Sequence, residues 1–118
     1  EIQEGQPNAG VGKPVGLTAD QFGAEQRETL TKLLHAYTDR MPEDLAAAER
    51  KRAQTTPANQ LYFAYSGSPE PGKPYTYRIQ APDFVVEFLN VQADSARNPA
   101  NHIHSAWRRI PADFGLAE

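Results

Sequence analysis

The sequence predicts an α+β fold: a helical hairpin followed by an antiparallel four-strand meander, with an extended N-terminal arm. Three observations lead there. Leu30, Leu33, Leu34, Tyr37 and Met41 recur at the spacing of one helix face, whereas from Leu61 onward the apolar period becomes two. Many of the ten prolines and eight glycines gather in residues 1–23 and around 66–74, which confines the packed region to the remainder.

The arm, residues 1–23, carries Gly5, Pro7, Gly10, Gly12, Pro14, Gly16 and Gly23 among few apolar residues. Such a composition buries too little surface to offset the entropy of ordering it, so a tether, or a segment lying along a larger body, is expected. A single α+β domain then occupies 24–118. The first helix starts near Ala24, with Glu25 and Glu28 at the positive end of its dipole, and ends at Asp39-Arg40-Met41 before Pro42. His35 falls at the margin of its apolar stripe and reads as a packing or solvent-edge residue. Pro42 suits the first position of a second helix, followed by Glu43, Asp44 and the helix formers Leu45 to Arg52, and ending by Thr55-Thr56-Pro57. The run Arg50-Lys51-Arg52 sits where a helix C-terminus favours positive charge.

Leu61 to Tyr65 and Tyr75 to Gln80 are the strands of a hairpin around the turn Ser66 to Pro74. The turn Ala81-Pro82-Asp83 leads into Phe84 to Gln92, the most apolar run and hence a central strand. A polar loop, Ala93 to Ala100, reaches the last strand, Asn101-His102-Ile103-His104-Ser105-Ala106-Trp107-Arg108. Tyr62, Tyr65, Tyr75 and Tyr77 lack interleaved basic residues, so a packed sheet face is preferred to a base-stacking surface.

Twelve Lys and Arg against fifteen Asp and Glu, a net charge of −3 with no long run of either sign, exclude a nucleic-acid or anionic-membrane footprint. No apolar stretch approaches the length of a membrane helix, so a soluble chain is expected. The absence of cysteine removes disulfides and thiolate metal ligands. Residue 1 is Glu and the sole methionine is Met41, so a processed chain or a fragment is expected, with secretion or a periplasmic location as one route to such processing.

The chemistry concentrates on the last strand. His102 and His104 alternate onto one face while Ile103, Ser105 and Trp107 take the other, so a Ser-His couple within the motif is geometrically poor. Glu87 is a lone carboxylate in an apolar strand and needs a partner. Sequential pairing offers two: Arg78 on one side, the histidines on the other. Two imidazoles and a carboxylate suit a divalent zinc, iron or copper ion. One reading is therefore a metal-dependent hydrolytic or oxidative enzyme fragment, with His102, His104 and Glu87 as ligands, Glu87 alternatively the general base, and Arg78 orienting an anionic small-molecule substrate. The other is a non-catalytic binding or structural domain whose polar strand residues form a hydrogen-bonded network, the Arg78–Glu87 pair included. No glycine-rich phosphate fingerprint lies between a strand and a helix.

Beyond these readings, a series of short motifs occurs in one order. It comprises Ala24-Glu25-Gln26-Arg27-Glu28-Thr29-Leu30, Leu61-Tyr62-Phe63-Ala64-Tyr65 with Gly67 and Pro71-Gly72, and Tyr75-Thr76-Tyr77-Arg78-Ile79-Gln80. It continues with Phe84-Val85-Val86-Glu87-Phe88, Asn90-Val91-Gln92, Asn101-His102-Ile103-His104-Ser105 and Asp113-Phe114-Gly115. Across roughly residues 15–116 the chain resembles the C-terminal part of the family called domain of unknown function 3500. The resemblance implies that Arg78, Glu87, Asn90, Gln92, Asn101, His102, His104, Arg108 and Asp113 are its polar motif positions and form one site. It also implies a longer protein, whose N-terminal portion is the expected partner and holds part of that site.

Overall fold

The computed structural model describes residues 12–110. Helix α1 (Ala24–Thr38) and helix α2 (Glu43–Thr55) precede an antiparallel sheet of β1 (Leu17–Thr18), β2 (Tyr62–Gly67), β3 (Tyr75–Gln80), β4 (Phe84–Gln92) and β5 (His102–Arg109), in that spatial order. The helix hairpin, the meander and the bounds of the second and third meander strands are as expected from the periodicity. Pro42 stands one place earlier than expected, as the residue capping α2, where its carbonyl accepts from the Ala46 N–H at 2.8 Å. Asp113 and most of the first half of the arm lie outside the described residues.

The sheet has five strands rather than four. The additional one comes from the arm: Leu17 pairs with Phe63 and Thr18 with Tyr62. Two residues carry no readable periodicity, and the pairing depends on a backbone approach that only glycine allows. At Gly16, φ is +101° and a Cβ would lie 2.1 Å from the Phe63 carbonyl oxygen. The pairing continues as the Ala19 N–H donates to the Leu61 carbonyl at 2.8 Å. Arg27 of α1 then clamps this hook, its Nε donating to the Ala19 carbonyl and its Nη2 to the Asp20 carbonyl, both at 3.0 Å.

Side chains alternate cleanly between the two sheet faces. The register Phe63↔Ile79↔Val86↔Trp107 sets one row of the face that the helices cover. Leu30 and Leu34 of α1 join Ile79, Phe84 and Val86 in the core, and Leu33, Tyr37 and Trp107 pack at its margin. Tyr65, Tyr75, Phe88, Tyr77 and Phe63 stack in a ladder along this face, with successive centroids 4.7 to 6.1 Å apart. The expected packed tyrosine face is therefore present, except that Tyr62 takes the other side. α2 buries Ala46 and packs Ala53 on the core, and polar contacts add to this. Trp107 Nε1 donates to Glu49 Oε2 at 3.2 Å, and Arg52 lies 3.4 Å from Asp83 in the β3–β4 turn. Arg50 sits 2.6 Å from Asp39. The basic run thus serves the fold, and His35 is half-buried at the stripe margin.

Candidate functional site

The opposite sheet face carries the polar set. In its central row Ala64, Arg78, Glu87 and Ala106 lie side by side, because Arg78 pairs with Ala64 and Glu87, and Glu87 with Ala106. Direct cross-strand placement brings Arg78 Nε to 3.4 Å from Glu87 Oε1, with the two side chains 18% and 7% exposed. Of the two partners the sequence offered Glu87, the guanidinium is the one across the strand. A depression of about 220 Å3 opens over the pair, lined by Ala64, Ser66, Thr76 and Leu89 as well as the two charged residues. In the adjoining row Gln80, buried, donates from Nε2 to the Gly12 carbonyl at 3.3 Å, tying the middle of the arm to this face.

The histidines share the same face but stand apart from the carboxylate. His104 pairs with Leu89 and His102 with Gln92, with a register shift between them, so one extra residue of β4 bulges opposite Ile103. The two imidazoles stack with centroids 4.6 Å apart and planes at 18°, both exposed. Ser105 pairs with Phe88 on the helix-covered face, as alternation demanded. The structure therefore brings together Arg78 with Glu87, and His102 with His104. Glu87 is one diagonal step from His104. Among the described residues no group of three His, Cys, Asp or Glu side chains is placed to hold a metal ion.

Asn101 of the expected polar set belongs to a different cluster, which sequence reasoning did not anticipate. The Asp94 carboxylate accepts from Asn101 Nδ2 at 2.6 Å, from Asn98 Nδ2 at 3.0 Å, and from the Ala96 and Asn98 backbone N–H groups at 2.9 Å. The available signal was the Asx-turn chemistry of Asp and Asn at short spacing. This loop delivers the chain into β5 just before His102, and it holds Arg97 and Ala100 at positive φ.

The Asn98 side chain, then that of Asn101, hold the Asp94 carboxyl down from 3.8 to about 2. A carboxyl depressed by folding orders the loop fully above its ordinary value and loses that contribution as pH falls through the depressed one. We expect the Asn98 and Asn101 side-chain amide resonances to hold their positions down to about pH 3 and to collapse toward random-coil values near about pH 2. A midpoint close to the ordinary carboxylate value would contradict the network.

Elsewhere, a groove of about 430 Å3 between β1 and α1 is walled by Leu17, Phe22, Leu30, Leu33 and Phe63, and it gathers no chemistry-bearing cluster. Among the described residues no helix is long and apolar enough to cross a membrane. Asn90 is buried beside Tyr75 on the helix-side face, Gln92 lies opposite His102, and Arg108 lies opposite Val85. The polar motif positions therefore divide between two faces and a loop.

The chain matches, over residues 1–116, the family model described as a protein of unknown function, DUF3500. No curated protein and no solved structure matches it. With a match running over essentially its whole length, the chain belongs to the DUF3500 family.

Proposed function

We propose that this chain is a non-catalytic binding domain whose polar sheet face presents a small-molecule site, with the Arg78–Glu87 pair as its floor. The observation that carries this reading is the direct cross-strand pairing of Arg78 with Glu87. A carboxylate 3.4 Å from a guanidinium and 7% exposed is already engaged. Taking it as a metal ligand or a general base would break that contact. The depression beside it offers the Ser66 and Thr76 hydroxyls and the Leu89 side chain, a mixture that suits a small polar molecule with one apolar edge.

One observation favours the metal-dependent enzyme reading: two exposed imidazoles neighbour each other on one face of β5, with centroids 4.6 Å apart, and turning out of their stacked arrangement would let both meet one ion. In that reading a zinc, iron or copper ion would take its further ligands from outside the described residues, with Arg78 orienting an anionic substrate. Elemental analysis separates the two. It is made on protein never exposed to chelator, on chelator-treated protein, and on the His102→Ala/His104→Ala double variant. The binding-domain reading expects metal well below one per chain in all three. Near-stoichiometric metal that disappears in the double variant would overturn it and establish the histidine pair as ligands.

A further inference from the structure

On the helix-covered face, away from the Arg78–Glu87 site, the end of α1 overhangs β3, β4 and β5 and leaves a pocket of about 210 Å3. Its polar lining is Tyr37, Arg40, Tyr77 and Ser105, and Phe88 and Ile103 supply apolar wall. The polar groups are donors in excess. Tyr37 and Tyr77 share a hydrogen bond between their hydroxyl oxygens at 2.7 Å. Two hydroxyls carry two protons, and that bond uses one. Whichever tyrosine donates, the proton of the other finds no acceptor among the described residues. The Ser105 hydroxyl adds a third O–H.

Arg40 supplies the charge. Its guanidinium makes no ion pair among the described residues, and it lies near enough to Tyr77 to favour the phenolate there. Burial, followed by the bond with Tyr37, outweighs that influence and pushes the Tyr77 phenol well above its ordinary range, so its proton stays available for hydrogen bonding. The acid next in sequence, Asp39, is held by Arg50 at 2.6 Å. Glu87, the acid on β4, points to the other sheet face, and β5 carries no acid at all. The negative end of the α1 dipole opposes an anion here. A guanidinium is a full charge and the dipole a partial one, so the pocket favours negative charge on balance.

Tyr77 and Phe88 stack face to face at 4.7 Å with planes 4° apart, so the pocket meets their ring edges, whose partial positive charge suits an anionic guest. We propose that this pocket binds a small organic carboxylate with an apolar body. The carboxylate accepts from Arg40 and from the spare tyrosine proton, and the body lies against Phe88 and Ile103. This site lies on the other face of the sheet from the one argued above and does not depend on it.

The test is a titration of benzoate into the 118-residue chain, followed by amide chemical shifts in NMR. The expected result is saturable shifts centred on Arg40, Ile103 and Ser105. Arg40→Gln, an exposed change past the end of a helix, should weaken binding about tenfold or more, as should replacing benzoate by benzyl alcohol, because each removes the charged hydrogen bond. Tyr37→Phe, which keeps the ring and removes the hydroxyl, should weaken it a few-fold while thermal unfolding reports an intact fold. Shifts that do not saturate, or equal binding by Arg40→Gln, or equal binding of benzyl alcohol, would each overturn the proposal.

Discussion

Truncating Arg78 alone, as Arg78→Met, should lower the stability of the chain by about 3–5 kcal/mol, the usual cost of breaking a buried ion pair from one side. Glu87→Gln should cost less. The reason for the asymmetry is access to water: the Glu87 side chain is 7% exposed and the Arg78 side chain 18%. A guanidinium on a long stem can turn toward the solvent when its partner is lost, whereas a strand carboxylate has little such freedom. The double change Arg78→Met/Glu87→Leu should recover most of the loss, since two apolar residues of similar size leave no charge behind. Urea unfolding of the wild type, Arg78→Met, Glu87→Leu and their double variant, read as a double-mutant cycle, measures the coupling. Singles that each cost under about 1 kcal/mol would place the pair with ordinary surface ion pairs and remove its role as the floor of the site. A Glu87→Gln variant of undiminished stability but lower metal content would make the carboxylate a ligand instead.

Phe84→Ala should be comparably damaging, at about 3–5 kcal/mol. Phe84 is fully buried and lies face to face with Trp107, with centroids 4.8 Å apart and planes at 7°. The ring therefore does more than fill space at the start of β4. It supports the indole whose N–H reaches Glu49, the contact through which α2 grips the strand of the histidines. Removing it opens a cavity under Trp107 and loosens that grip. The loss should be visible in urea unfolding and in a red-shifted tryptophan emission. Phe84→Leu, which keeps most of the volume, should cost under about 1.5 kcal/mol. Equal losses for the two variants would show that the stacking geometry, rather than the filled volume, is what the site requires.

The helices and the central strands were legible because each obeys a single period over many residues. Leu30 and Leu34 lie in the core as the stripe demanded, the bounds of β3 follow from alternation, and those of β4 from an apolar run that starts after the Ala81-Pro82-Asp83 turn. The features that escaped depend on contacts between distant segments. β1 is two residues long and exists because Gly16 lets the arm approach Phe63. The bulge between Leu89 and Gln92 adds one residue to a strand whose composition does not mark it. For the site, alternation put both histidines on one face, and sequential pairing left open whether the partner of Glu87 was Arg78 or the imidazoles. Register decided, since Glu87 stands opposite Arg78 on one side and Ala106 on the other. Tyr37 and Tyr77 each read as part of an apolar face. That their hydroxyls meet is a fact of tertiary packing, although a buried tyrosine always requires some partner for its oxygen.

The order of the strands also bears on what a second copy of the chain would meet at the margin of the sheet. β5 ends the sheet, and among the described residues no strand pairs with its outer side. Eight residues of open edge are a template on which another chain can build. Beside Ile103, Ser105, Ala106 and Trp107 it carries His102, His104, Arg108 and Arg109, with no acid among them, so two such edges meeting would bring positive charges and hydrated rings together. At the other end of the sheet β1 offers only Leu17 and Thr18 and covers Tyr62 and Phe63 of β2, which keeps that edge short and broken. The same histidines that draw attention as candidate ligands thus belong to a guarded margin, and replacing them with apolar residues removes a safeguard against strand-by-strand aggregation.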